Sequence, residues 1–221
     1  MDNINVKGSP KYIDSTKKLA EDFLSNLKSQ LKTEIAFSFS ITLHPSRESF
    51  NAKLGRATET WEVGNTYSAN LEIDILDPEA FEKDSSHSKD EFSLSLNHEI
   101  VHISIISLSN GHAVPLWLNE GLAKYFTEQP NPVKGLYIEE YFSSKISTQH
   151  GWNTYSEGEA YAFSGLFVGY LVKQYSLEKI LVLVKTLDKA YYQEAFEHKF
   201  NEIFGINLIE AERDFVRGVN M

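Results

Sequence analysis

The sequence predicts an α+β fold, with a small mixed sheet in the N-terminal half and an all-helical C-terminal half. Strand-type alternation of apolar residues is confined to residues 35–76, in "IAFSFSITL" and "LEIDIL". Helical periodicity flanks this region, and from Glu157 onward every segment reads as helix. Strands and helices therefore segregate along the chain instead of alternating, which separates α+β from α/β.

In residues 11–32 apolar side chains recur at helical spacing (Leu19, Phe23, Leu27, Leu31) among lysines and glutamates, the pattern of an amphipathic surface helix. Residues 35–43 alternate as a half-buried strand that stops at His44 and Pro45. Ser46 suits the N-cap of a short helix reaching Leu54. Residues 60–78 predict two short strands around a Gly-Asn and Ser-Ala-Asn turn. The second strand, 71–76, directs Glu72 and Asp74 outward and ends at Asp77 and Pro78. Residues 82–90 read as polar loop. Ser88 and Glu91 then form a capping box that starts a helix running to about Ser109, where Asn110 and Gly111 stop it. Its second half, "IVHISIISL", is apolar nearly all round, as in a central buried helix.

Pro115 opens a short helix through Phe126, broken by "EQPNP". A less regular stretch holds residues 137–146, and helices follow at 157–174, 177–187, 191–203 and Leu208–Val219. There is no internal repeat. The whole is read as a single domain, 1–221, with an α/β sublobe over 1–110 and a helical sublobe over 111–221.

The net charge of −10, from 31 acidic and 21 basic residues without a basic run, argues against nucleic acid or an anionic membrane as partner. It does not specify a peptide or protein partner or an oligomeric state. No run approaches the roughly 18–20 apolar residues of a membrane span. The first thirty residues lack a secretory signal, which points to the cytoplasm, although the absence of cysteine is compatible with any compartment. That absence also removes thiolate ligands and a cysteine nucleophile, so a metal must be held by histidine and carboxylate.

Such residues are present. In "LNHEIVHI" His98 and His102 lie four residues apart, on one helical face and about 6 Å apart along the axis, within reach of a single zinc ion. Glu99 lies to the side of that face, where a general base can take a proton from an activated water without occupying a ligand position. A catalytic zinc uses three protein ligands and one open position, and Glu120 in "VPLWLNEGLAKYF" can supply the third from an adjacent helix. Gly121 beside it costs about 1 kcal/mol in a helix interior relative to alanine, which implies close packing on another backbone, here expected to be the histidine helix.

"NHEIVHISI", "VPLWLNEGLAKYF" and "YAFSGLFVGYLVKQYSLEKILVLVK", in this order, resemble the gluzincin superfamily of zinc metallopeptidases, specifically its small peptidase MA-like group. The resemblance covers residues 60–219. It implies a thermolysin-like arrangement, a small sheet lobe over a helical lobe with the zinc between them. It also implies one Zn2+ held by His98, His102 and Glu120, Glu99 as general base, and a peptide or protein substrate laid antiparallel to an edge strand, for which residues 63–70 are the candidate. In gluzincins a tyrosine or histidine from the C-terminal helices stabilises the oxyanion. Tyr161 is the first choice, with Tyr155 and His150 as alternatives.

Seventeen residues separate His102 from Glu120, and Lys124 stands where thermolysin-like enzymes carry an aspartate, setting the chain apart from the aminopeptidase N and thermolysin branches. The family's glycine after the "Lys-x-Tyr" helix end is here Ser176. No Gly-x-Met-x-Asn motif is visible, which favours endopeptidase over aminopeptidase action. A zinc-binding domain without catalysis is the alternative reading. His44, His87, His112 and His198 lack ligand spacing and are read as structural or surface residues, and the aromatics of 137–142 as core or cleft wall.

Overall fold

Ile4 and Val6 alternate with polar neighbours to form β1 (Asn3–Lys7), a strand too short to stand out in the sequence. It opens a computed structural model that describes residues 2–130, 141–155 and 157–219. The protein is mixed α+β with a small four-stranded sheet. The chain divides into two compact units, Met1–Ser104 and Ile105–Met221.

In the first unit, α1 (Pro10–Leu31) leads to β2 (Ser38–His44), α2 (Arg47–Leu54), β3 (Gly64–Tyr67) and β4 (Glu72–Leu76). The sheet order is β1-β2-β4-β3, with β1/β2 and β2/β4 parallel and β3/β4 antiparallel, so β3 is an edge strand. α1 buries Thr16, Ala20, Leu24, Leu27 and Leu31. Leu19, expected on that stripe, is 40% exposed, because the stripe is set by the heptad-like 20, 24, 27, 31 spacing that the sheet accepts.

β4 corrects a second expectation. Asp74 does not face outward but is fully buried, 2.6 Å from His44 Nε2, while Ser49 Oγ lies 3.0 Å from His44 Nδ1. β4 is buried from Ile73 to Leu76, on both of its faces, and a carboxylate there is tolerated only when partnered.

Asp77 caps a helix absent from the sequence reading, α3 (Pro78–Asp84), accepting from the N–H groups of Glu79 and Ala80 at 3.1 and 2.9 Å. Asp77-Pro78 is therefore a strand end and a helix start at once. Arg47 ties the end of α3 to the loop entering β3: its guanidinium donates to the carbonyls of Asp84, Thr60 and Glu62 and to the Thr58 hydroxyl. A 3₁₀ turn at Lys89–Glu91 follows. There the Glu91 carboxylate accepts from the Ser88 N–H at 2.8 Å, and the turn runs into α4 (Phe92–Leu108). α4 is continuously buried only from Ile100 to Ile105; residues 97–99 are half-buried. Asn110 and Gly111 end it in left-handed conformations (φ 56 and 73), as the stop signal requires.

The second unit holds α5 (Leu116–Phe126), α6 (Phe142–Lys145), α7 (Gln149–Trp152), α8 (Glu157–Tyr175), α9 (Leu177–Lys185), α10 (Gln193–Phe204) and α11 (Leu208–Val219). α8 is its centre, packed on α5, α9 and α11. Trp117, Phe163, Phe167 and Phe215 meet there, with ring centroids 5.2 Å apart for Trp117–Phe167 and 5.3 Å for Phe167–Phe215. Of the aromatic stretch 137–142, residues 137–140 lie outside the described residues, as does Pro132 of the helix-breaking "EQPNP". Phe142 is a core residue against Tyr155 and Phe163. Among the described residues no helix is long and apolar enough to cross a membrane.

Candidate metal centre

One turn of α4 presents His98 and His102 side by side, their ring centroids 4.7 Å apart and nearly perpendicular. The ligand atoms of His98, His102 and Glu120 all lie within 4.8 Å of one another. His102 is 6% exposed, and His98 and Glu120 are half-buried. Three donors around one zinc at about 2.0–2.2 Å stand about 3.5 Å apart, so small rotamer adjustments bring this set to bonding distance. Two imidazoles and one carboxylate are also the ligand chemistry of catalytic zinc, which leaves a coordination position open. The residues present fit the ion.

Glu99 points from the same turn toward β3. The Thr66 hydroxyl donates to Glu99 Oε2 at 2.7 Å and lies 3.3 Å from the Glu99 main-chain carbonyl oxygen. Gly64, two residues earlier and so on the same face of the strand, passes so close that a Cβ there would stand 2.9 Å from Glu99 Oε1 and 3.0 Å from Cγ. Gly64 and Asn65 are strand residues, so the Gly-Asn part of the expected turn is not one, whereas the Ser-Ala-Asn part is: the turn is formed by residues 68–71. Neither Gly64 nor Thr66 was singled out from the sequence. The available signal was a glycine inside a possible strand, which marks a bulge or a close approach.

Gly121 does serve close packing, but its partner is α8 and not the histidine helix. A Cβ at Gly121 would stand 2.4 Å from both the Ser164 carbonyl oxygen and Val168 Cγ2. This crossing places the residue after Glu120 against α8. Tyr161 lies three residues before Ser164 and seven before Val168, on the stripe of α8 that faces α5. It is half-buried, with its ring edge-on to Trp152 at 5.0 Å. Of the alternatives, Tyr155 packs edge-on against Phe142 at 4.9 Å and His150 is exposed on α7. Lys124, one turn after Glu120, is buried and donates to the Pro130 carbonyl oxygen at 3.2 Å. Burial holds its ammonium below the ordinary lysine value, opposed by the negative charge of Glu120.

The remaining histidines have structural or surface roles. His44 is buried against Asp74, His87 Nε2 lies 3.0 Å from the Trp61 carbonyl oxygen, His112 bonds the Leu187 carbonyl oxygen, and His198 is exposed. Comparison of the chain with protein-family models, with curated proteins and with solved structures finds no match.

Proposed function

We propose that the protein is a zinc-dependent peptidase of gluzincin type, with a thermolysin-like arrangement, and that it hydrolyses internal peptide bonds. The single observation that carries the reading is the convergence of His98, His102 and Glu120 within 4.8 Å, with Glu99 on the same turn of α4 as both histidines. These three side chains would hold the zinc, which would supply Lewis-acid polarisation of a bound water and carbonyl. Glu99 takes the proton of the attacking water and returns it to the leaving amine. Tyr161 donates its phenolic hydrogen to the developing oxyanion. Among the described residues β3 is an edge strand, and its outer side offers main-chain donors and acceptors to an extended substrate.

The test is zinc content combined with an unbiased peptide-library digest, run on the wild type and on Glu99→Gln. The wild type is expected to carry one zinc per chain and to cleave. Glu99→Gln should keep the zinc and lose at least about 100-fold in turnover, the usual contribution of a positioned base. An active Glu99→Gln protein would refute the mechanism, and a zinc-loaded wild type that cleaves no peptide would favour a non-catalytic zinc domain.

A further inference from the structure

We propose that Gly64 and Thr66 of β3 form a seat for the Glu99 carboxylate, with Thr66 as a positioning residue that fixes which oxygen takes the proton. The inference rests on the reading of Glu99 as the general base. A glutamate side chain has three rotatable bonds, and a base that samples several rotamers is in reach of its proton for only part of the time. Here Oε2 is held at 2.7 Å by the Thr66 hydroxyl. No donor among the described residues hydrogen-bonds Oε1, which leaves that oxygen to accept a proton.

The holder is itself rigid. Thr66 is β-branched, and its strand is paired with β4, Thr66 opposite Ile73. The loop before the strand is clamped by Arg47 through the carbonyls of Thr60 and Glu62. Gly64 completes the seat by omission, since a side chain there would occupy the space of Oε1 and Cγ. Residues 64 and 66 share one strand face while Asn65 and Tyr67 share the other, so the pairing of a missing side chain with a hydroxyl at that spacing is a property of the face and not of the local chain.

The test compares Thr66→Val, which keeps the shape and removes the hydroxyl, with Thr66→Ser, which keeps the hydroxyl, and with Gly64→Ala. All are measured as full-length, zinc-loaded protein on the best peptide found for the wild type. Zinc stoichiometry and the 13C resonance of the Glu99 carboxyl, assigned by its loss in Glu99→Gln, are recorded alongside. For Thr66→Val the expectation is a fall in kcat of about 10- to 100-fold, the range for lost supporting hydrogen bonds, with KM within about twofold, zinc unchanged and the Glu99 resonance displaced. Thr66→Ser should recover kcat to within about threefold and restore the resonance. Gly64→Ala should lower kcat without loss of zinc. Should Thr66→Val fail to fold, Thr66→Ala carries the same comparison.

A wild-type kcat in Thr66→Val, or a loss that serine does not repair, overturns the seat while leaving the peptidase reading intact. A wild type that binds zinc but cleaves nothing overturns the base itself, and with it the positioning role. In that case an unmoved Glu99 resonance in Thr66→Val also removes the hydrogen bond.

Discussion

Two glutamates, one in each unit, differ in how many donors hold the carboxylate, and the proposed base is the less tightly held of the two. Glu99 is half-buried and receives one side-chain hydrogen bond, from Thr66 to Oε2. Glu212 is 2% exposed and held by three donors: Oε1 accepts from the Phe142 N–H at 2.7 Å, and Oε2 from the Ser143 N–H at 3.1 Å and hydroxyl at 2.5 Å. The three donors at Glu212 sit at the start of α6 and tie it to α11. Glu212 is thus anchored by three donors and closed off from solvent, whereas Glu99 is half-buried with one side-chain donor, on Oε2.

The glycines divide in the same way. The group that a Cβ at Gly64 would meet is the flexible end of a side chain, whereas at Gly121 it is the backbone of α8. Room at the first receives the Glu99 side chain, and room at the second serves packing.

The largest effect that sharpens this contrast is in activity. Glu99→Gln should lose at least about 100-fold in turnover yet stay within about 0.5 kcal/mol of wild-type stability by denaturant unfolding. A large stability loss would place Glu99 with Glu212 as a structural group. Next is Gly121→Ala, expected to destabilise by about 3 kcal/mol because the α8 backbone cannot move aside as a side-chain end can. An unchanged melting transition would break the division between the two glycines.

Glu212→Gln should cost about 2 kcal/mol, since the amide turns one acceptor into a donor facing N–H groups. Its pH dependence has a definite sign. Burial raises the Glu212 pKa, partly offset by the Ser143 and Phe142 donors. The unfolded chain therefore gives up this proton first as pH rises, and the stability the group contributes is full below the ordinary glutamate value and lost as pH climbs through the raised one. The stability of the wild type relative to Glu212→Gln should fall over that interval. A difference that grows with pH would mean that the hydrogen bonds outweigh burial.

The smallest effect is at Ser176, the position where the resembling family carries glycine. Its φ of 102 lies in a region that L-residues rarely adopt. Ser176→Gly should raise stability by about 1 kcal/mol, and a destabilised variant would show that the serine side chain contributes more than its backbone strain costs.

The helices were legible wherever a cap coincided with a period: Ser46, Ser88 with Glu91, and Asn110-Gly111 mark the ends of α2 and α4 as found. β1 and α3 were missed for opposite reasons. β1 offers only Ile4 and Val6 as pattern, too little to distinguish from chance. For α3 the signal is present, because Asp77-Pro78 is a helix start as well as a strand end, and a strand that ends there hides it.

His98, Glu99 and His102 could be read together because one helical turn has one geometry, and four residues of spacing carry it wherever the helix lies. Glu120 could be named because an acid amid apolar residues needs a partner. Local spacing could not show that Asp74 turns inward to His44, that Gly121 meets α8, or that Gly64 and Thr66 receive Glu99. Each of these depends on which faces of two distant segments come together. That pairing is chosen by the burial of the whole apolar set at once, so no short stretch of the chain contains it.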